Sequence, residues 1–152
     1  MMKKTAFFTL LIVTLSSLVF TSFRLLKNPA DAITGTWLTA GDDNAKVEIY
    51  ESHSKYYGKI VWLKNPIREG KKALDVNNPD KNKRNNPIIG LQIISGFEFN
   101  ADDNIWENGK IYDPQSGKTY SCNIRKEGNK LKVRGYIGFS LLGRTEIWTK
   151  TD

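Results

Sequence analysis

The chain has 152 residues, of which 39% are hydrophobic and 11% aromatic, and its formal net charge is +7. This length suits one ordinary domain behind an N-terminal segment and is too short for two. A single cysteine rules out an internal disulfide framework, so stability must come from packing. One histidine and one distant cysteine do not support a typical zinc site, and we expect no bound metal and no cofactor.

Residues 1–32 are predicted to form an export segment outside the fold. Two lysines precede an uncharged, mostly apolar run over residues 5–23. That run is longer than a usual secretory core of about 7–15 residues and close to the roughly 18 residues of a spanning helix. Residues 30–32, Ala-Asp-Ala, have the small-x-small form that signal peptidase accepts. We expect cleavage and a periplasmic or cell-envelope location; an uncleaved anchor in the inner membrane and a buried helix of a cytosolic protein are the alternatives.

From residue 33 to 152 the chain is predicted to be one all-β domain, because its runs are short and separated by turn residues. Residues 60–63 are all apolar, which predicts burial on both faces. Gly90 and Gly96 predict bends or bulges. Local pairing favours a meander that closes, first strand to last, into a single antiparallel β-barrel of about eight strands. The predicted strands are 35–39, 45–51, 55–63, 88–99, 104–112, 118–125, 130–136 and 144–149.

The segment 64–86 carries the excess charge of the domain, with seven basic and three acidic residues; residues 1–32 account for the rest. A long loop without periodicity is typical of a lid or a binding loop. Its charge could attract anionic lipid or polymer, and plain solvation of a long polar loop is the favoured interpretation. Nucleic acid is not expected, because the loop has no aromatic residue on which a base could stack. Its oxygen-rich stretch 75–80 indicates Asx turns, with a hard cation such as calcium as the less favoured interpretation.

No residue is predicted to be catalytic, and we expect a protein that is not an enzyme. The lone His53 falls in a predicted hairpin tip, which would orient it poorly beside a nucleophile. The acid pairs at 42–43 and 102–103 are expected to be solvated. Cys122 alternates with Tyr120 and Ile124 on one strand face, which predicts a core residue rather than a reactive thiol.

Most aromatic side chains are expected in the core, and their volume favours a filled interior. A subset at one barrel mouth would nevertheless suit an apolar or sugar-like ligand, with polar contacts from the loop 64–86 that covers it. The candidate ligand-binding residues are Trp62, Asp75, Asn77, Asn78, Arg84, Tyr112 and Tyr120.

A series of motifs follows in order along the chain: Gly35-Thr36-Trp37, Gly58-Lys59-Ile60-Val61-Trp62, Asp75-Val76-Asn77-Asn78-Pro79-Asp80, Pro87-Ile88-Ile89-Gly90, Gly109-Lys110-Ile111-Tyr112-Asp113-Pro114, Gly117-Lys118-Thr119-Tyr120, Val133-Arg134-Gly135-Tyr136 and Trp148-Thr149. Together these motifs resemble the bacterial family called domain of unknown function 2147. The resemblance implies a small exported protein with a lipocalin-like β-barrel and no established activity, so no catalytic residue is carried over. Many members have a cysteine where this chain has Tyr57, which agrees with an unpaired Cys122.

The opening Gly35-x-Trp37 is also similar to the start of calycin barrels, in which a late arginine packs across the tryptophan and closes the base. Arg144 is the candidate partner, four residues before Trp148 on the predicted last strand. Barrel closure is thus assigned to Gly35, Trp37, Arg144 and Trp148.

The preferred function is non-enzymatic binding of a small apolar or glycan-like ligand by a monomer in the bacterial envelope. The first alternative is a surface-interaction protein whose basic loop 64–86 contacts anionic lipid or polymer. The second is a hydrolase that uses carboxylates of that loop.

Overall fold

The computed structural model describes residues 28–139 and 141–151. Most of the predicted export segment, residues 1–27, lies outside the described residues. Within the described ranges, no helix has both the length and the apolar character needed to cross a membrane.

The described residues form ten strands and two short 3-10 helices. Eight strands form a closed barrel, and β4 and β5 pair with each other in a separate ribbon. In chain order the elements are a first 3-10 helix Pro29–Ile33, β1 Gly35–Leu38, β2 Ala45–Ser52, β3 Lys55–Leu63, β4 Ile67–Arg68, β5 Lys71–Lys72, a second 3-10 helix Lys81–Lys83, β6 Gln92–Asn100, β7 Ile105–Asp113, β8 Lys118–Glu127, β9 Lys130–Tyr136 and β10 Gly143–Lys150.

The barrel is an antiparallel meander in which each strand pairs with the next barrel strand along the chain. It closes where β1 pairs with β10, with Trp37 opposite Lys150. The predicted antiparallel barrel of eight strands and its closure by the first and last strands are therefore confirmed. Gly90 and Gly96 have φ of 94° and 74°, as expected at bends. The chain is bent up to Gly90, so β6 begins at Gln92 rather than at residue 88.

Because neighbouring strands run in opposite directions, their connections divide between the two ends of the barrel. We call one end the mouth; it carries the connections 39–44, 64–91, 114–117 and 137–142. We call the other end the base; it carries the turns 53–54, 101–104 and 128–129 and the first 3-10 helix. The turn 53–54 places His53 at an exposed hairpin tip with φ of 53°, as predicted.

The first 3-10 helix plugs the base of the barrel. Ile33 is fully buried. The indole nitrogen of Trp106 donates to the carbonyl oxygen of Ala30 at 2.8 Å, and the hydroxyl of Tyr56 donates to Oδ1 of Asp31 at 2.8 Å. Burial, followed by this hydrogen bond, raises the pKa of Tyr56. Residues 30–32 thus pack on the barrel although they lie in the predicted export segment, and cleavage after residue 32 stays a prediction.

The end of β3 is not buried on both faces. Val61 and Trp62 are 38% and 41% exposed, whereas Ile60 is buried. The pairing shifts here, since Lys46 lies opposite Trp62 and the next residue, Val47, lies opposite Ile60. This bulge leaves one residue of β3 without a partner and turns two successive side chains outward. The prediction from four consecutive apolar residues is wrong for that reason.

The cation over Trp37 is Lys150, not Arg144. Its Nζ lies 4.6 Å from the indole centroid and donates to the carbonyl oxygen of Thr34 at 2.6 Å. Arg144 lies six residues earlier on β10, about 20 Å away at roughly 3.3 Å per residue, and its side chain is 87% exposed. The strand register decides this point. Gly35, with φ of 107°, leaves room for Lys150, because a Cβ there would overlap its ammonium group.

The connection 64–86 contains local structure, contrary to the expectation of a loop without any. It includes the β4–β5 ribbon, the second 3-10 helix and a bridge between Leu74 and Pro87. The predicted Asx turns are confirmed. Oδ1 of Asn78 accepts from the amide of Asp80 at 2.9 Å, and Oδ1 of Asp80 accepts from the amide of Asn82 at 3.0 Å.

Cys122 is a core residue, as predicted. It is fully buried and unpaired. Burial raises the pKa of its thiol to about 12. A thiol in this state is a packing group rather than a nucleophile at ordinary pH.

Candidate functional site

The half of the barrel nearest the mouth is hollow. It contains a cavity of about 1040 Å³. The expectation of a filled interior is wrong, because three of the four largest buried aromatic side chains, Trp37, Phe97 and Trp106, are packed outside the cavity lining. Smaller side chains surround the cavity together with one indole. These apolar wall residues are Ala45, Ile60, Leu63, Ile88, Ile93, Ile111, Val133 and Trp148.

The wall follows from the alternation of side chains along each strand. Val133 and Trp148 face inward from β9 and β10 and are buried. Gly135 is the next inward position on β9 after Val133. A Cβ at Gly135 would meet Ile111 and Tyr120 at 3.6 Å, an ordinary contact distance. The absence of a side chain at this position therefore contributes directly to the space inside the barrel.

Charged residues from several connections surround the opening of the cavity. Arg68, from the β4–β5 ribbon, pairs with Asp43 at 2.7 Å. Arg144, at the start of β10, has an 87% exposed side chain and a longer contact of 3.8 Å to Glu146. All four side chains line the cavity. The opening therefore offers both signs of charge, and Arg144 is the more exposed cation.

Asp75 holds a tyrosine of the cavity wall. The hydroxyl of Tyr112 donates to Oδ1 of Asp75 at 2.7 Å, and Nδ2 of Asn78 donates to Oδ2 at 2.6 Å. Asp75 is fully buried, so neither bond is shared with bulk water. Burial, with the hydrogen bond to Asp75 next, raises the pKa of Tyr112 to about 12. The phenol thus remains a neutral donor that points away from the cavity.

The same loop is attached to the β7–β8 turn. Nδ2 of Asn77 donates to the carbonyl oxygen of Gln115 at 2.8 Å. Gly117 has φ of 68°, and a Cβ there would overlap the carbonyl of Asn77. Arg84 donates through Nε to the carbonyl oxygen of Asn78 at 2.8 Å. These contacts fix the loop against one side of the mouth.

The predicted ligand-binding residues are therefore divided by the structure. Tyr112 and Tyr120 line the cavity. Trp62 lies on the outer surface under Lys46, whose Nζ is 5.6 Å from its ring centroid, so its expected place at the mouth is corrected. The four polar residues of the loop lie outside the cavity lining; Asp75 and Asn78 hold Tyr112, whereas Asn77 and Arg84 bond to backbone carbonyl oxygens. Their direct contact with a ligand stays a prediction; they are Asp75, Asn77, Asn78 and Arg84.

Sequence reasoning missed several residues of the site. Val133 and Gly135 could have been found from alternation on β9, since both share the inward parity of Leu131. Trp148 and Arg144 were named, but for closure of the base rather than for the cavity.

Comparisons with known proteins agree with this architecture. No curated protein matches the chain. A solved structure that does match is described as "Protein HP1028 from the human pathogen Helicobacter pylori belongs to the lipocalin family". The two chains are 23% identical with a TM-score of 0.68, and the match covers 78% of this chain and 82% of that one. This likeness shows the fold alone. Residues 35–150 match the family model described as "Uncharacterized protein conserved in bacteria (DUF2147)", and the chain therefore belongs to that bacterial family.

Proposed function

We propose that this protein binds a small amphipathic molecule in the bacterial envelope without chemical conversion. The apolar part of the molecule occupies the barrel cavity, and its polar end lies at the mouth. The observation that carries the proposal is the cavity itself. Its volume of about 1040 Å³ is at the upper limit of the roughly 300–1,000 Å³ of typical ligand sites.

The composition of the wall favours a hydrocarbon body over a glycan. Ile60, Ile93, Ile111 and Val133 offer no hydrogen-bonding group, so the hydroxyls of a sugar would lose their water partners there. Burial of apolar surface contributes about 25 cal/mol per Å², which gives a hydrocarbon chain enough free energy to bind. At the opening, the exposed guanidinium of Arg144 suits an anionic head group.

The test is binding of a fluorescent polyene fatty acid to the wild-type protein and to Gly135→Phe. The new ring starts from a position where a Cβ is accommodated and extends into the cavity. We expect saturable binding by the wild type and at least tenfold weaker binding by Gly135→Phe. Thr119→Phe is the control, since it adds the same ring to an exposed position of β8.

Native mass spectrometry of protein isolated from its own envelope adds a second measurement. We expect a bound small molecule that is lost in Gly135→Phe. Lack of saturable binding of the polyene, or equal binding by the two Phe variants, would contradict the proposal. Far-ultraviolet circular dichroism separates loss of the cavity from loss of the fold.

The two alternative functions also stay predictions. Contact of the basic loop 64–86 with anionic lipid or polymer predicts binding that weakens steeply with added salt, unlike cavity binding of an apolar ligand. The hydrolase hypothesis requires Asp75 to act on a substrate. Asp75 is buried, accepts two hydrogen bonds and lies outside the cavity lining.

A further inference from the structure

An exposed group of large apolar side chains lies at the mouth, on the connection between β9 and β10. We call it the mouth patch; it consists of Ile137, Phe139, Leu141 and Leu142. Their exposures are 68%, 80%, 88% and 76%. Isolated exposed apolar residues are common, but four within one short connection form a patch of the kind that marks an interaction site.

The mouth patch is held in place rather than collapsed onto the barrel. Arg134 donates to the carbonyl oxygen of Leu141 at 3.2 Å and to Oγ1 of Thr145 at 3.0 Å. The amide of Leu142 donates to the carbonyl oxygen of Phe139 at 3.0 Å. These bonds fix the backbone of the connection, and its apolar side chains are exposed to solvent.

The mouth and the base differ in charge. The connections 39–44 and 64–91 at the mouth hold seven lysines and arginines against five acids. The base turns and the first 3-10 helix hold Asp31, Asp102 and Asp103 with no lysine or arginine. Basic side chains from the strand ends also lie at the base, where Arg125, Lys126 and Lys150 donate to backbone carbonyl oxygens. The protein therefore presents a basic mouth with an apolar patch and a base of mixed charge without one. An anionic surface would therefore attract the mouth more strongly than the base.

We propose that the mouth patch inserts into the surface of an anionic lipid bilayer, with the basic residues of the mouth against the head groups. Exposed Phe and Leu side chains at an end of the molecule that is also basic are the combination that interfacial membrane binding requires. Ile137 and Leu142 also line the cavity, so the opening faces the bilayer in this orientation. This docking goes beyond the proposed function, because it depends on the patch whether or not the cavity holds a ligand.

The first experiment is flotation of the whole chain, as the cell produces it, with vesicles of phosphatidylethanolamine and phosphatidylglycerol. We expect Phe139→Ser/Leu141→Ser to lower the partition coefficient at least tenfold, with an unchanged melting temperature because both side chains are exposed. Ile147→Thr is the matched control, an apolar side chain that is 39% exposed on the barrel wall. We expect it to partition like the wild type. All these chains are compared in the same processed form, so any contribution of residues 1–32 is common to them.

The second experiment tests orientation with a polarity-sensitive dye on a single introduced cysteine. Leu141→Cys carries it at the mouth, and Asp102→Cys carries it at the base; native Cys122 is fully buried and stays unlabelled. We expect anionic vesicles to shift the emission to shorter wavelength only at position 141. Vesicles of phosphatidylcholine alone should bind at least tenfold more weakly.

Four results would overturn the docking proposal. These are equal flotation of the Phe139→Ser/Leu141→Ser chain and the wild type, an emission shift at position 102, equal binding to neutral vesicles, or a patch-dependent dimer in sedimentation without vesicle binding. The last result would assign the patch to a second copy of the chain. The cavity is tested separately, because Gly135→Phe should still float with vesicles while it loses the polyene.

Discussion

Replacement of Asp75 by alanine should lower the free energy of unfolding by about 2–4 kcal/mol, because the connection 64–91 loses its attachment to Tyr112. The substitution leaves two donors, Nδ2 of Asn78 and the hydroxyl of Tyr112, without their acceptor. A buried donor without a partner costs about 1–3 kcal/mol. Asn78 is buried, so leaving its Nδ2 without an acceptor has the full cost. Tyr112 is only half-buried, so water can replace part of its lost bond. The sum is a large share of the roughly 5–15 kcal/mol that stabilises a typical domain.

Urea unfolding measures this loss as a lower midpoint at an unchanged slope. Asp102→Ala is the control, because Asp102 is an exposed acid on a base turn and should change stability by less than about 0.5 kcal/mol. A double-mutant cycle with Tyr112→Phe should give a coupling free energy of about 1–2 kcal/mol. Hydrogen exchange should rise for amides of residues 73–88 and stay unchanged in β8 and β9. A loss below about 0.5 kcal/mol with unchanged exchange would refute the assigned role of Asp75.

The contact between Tyr112 and Asp75 also makes the stability of the protein depend on pH. The pKa of Tyr112 is raised from 10 to about 12 in the folded protein. A group with a raised pKa contributes stability that is complete below its unfolded pKa and is lost as pH rises through the folded value. The wild type should therefore lose stability between pH 10 and 12, and Tyr112→Phe should lose less over that interval. An identical alkaline slope for both proteins would show that the phenol is not held by Asp75.

Three further changes test other parts of the structure. A chain that begins at Ile33 should melt well below one that begins at Asn28, because it lacks the hydrogen bonds of residues 30 and 31 with the base; equal melting temperatures would argue against the plug. Gly117→Ala should lower the free energy of unfolding by more than about 1 kcal/mol, because it combines a positive φ with overlap between the new Cβ and the carbonyl of Asn77; thermal unfolding measures this loss. Cys122 should resist iodoacetamide at pH 8 in the folded protein and react in denaturant; rapid native alkylation, followed by mass spectrometry, would contradict its burial.

Local sequence signals were enough to predict most of the fold. Alternation and turn residues gave β3 and β9 with the bounds found in the structure, and the other barrel strands except β6 to within one or two residues. β6 begins four residues after its predicted start, because Ile88 to Gly90 form a bend that packs Ile88 into the core. Closure was also predicted from the sequence, since joining the first and last strands is the simplest way for such a meander to remove its two free edges. These features depend on side-chain period and turn chemistry, which act between near neighbours in the chain.

The register between strands, by contrast, was decided only in the tertiary structure. One bulge turned Trp62 outward, and the pairing of β1 with β10 placed Lys150 rather than Arg144 over Trp37. The hollow interior has the same origin. It depends on which aromatic rings pack at the base and on Gly135 facing the space they leave. Composition reports the total volume of the side chains, but only the packed barrel determines how that volume is divided between its two ends.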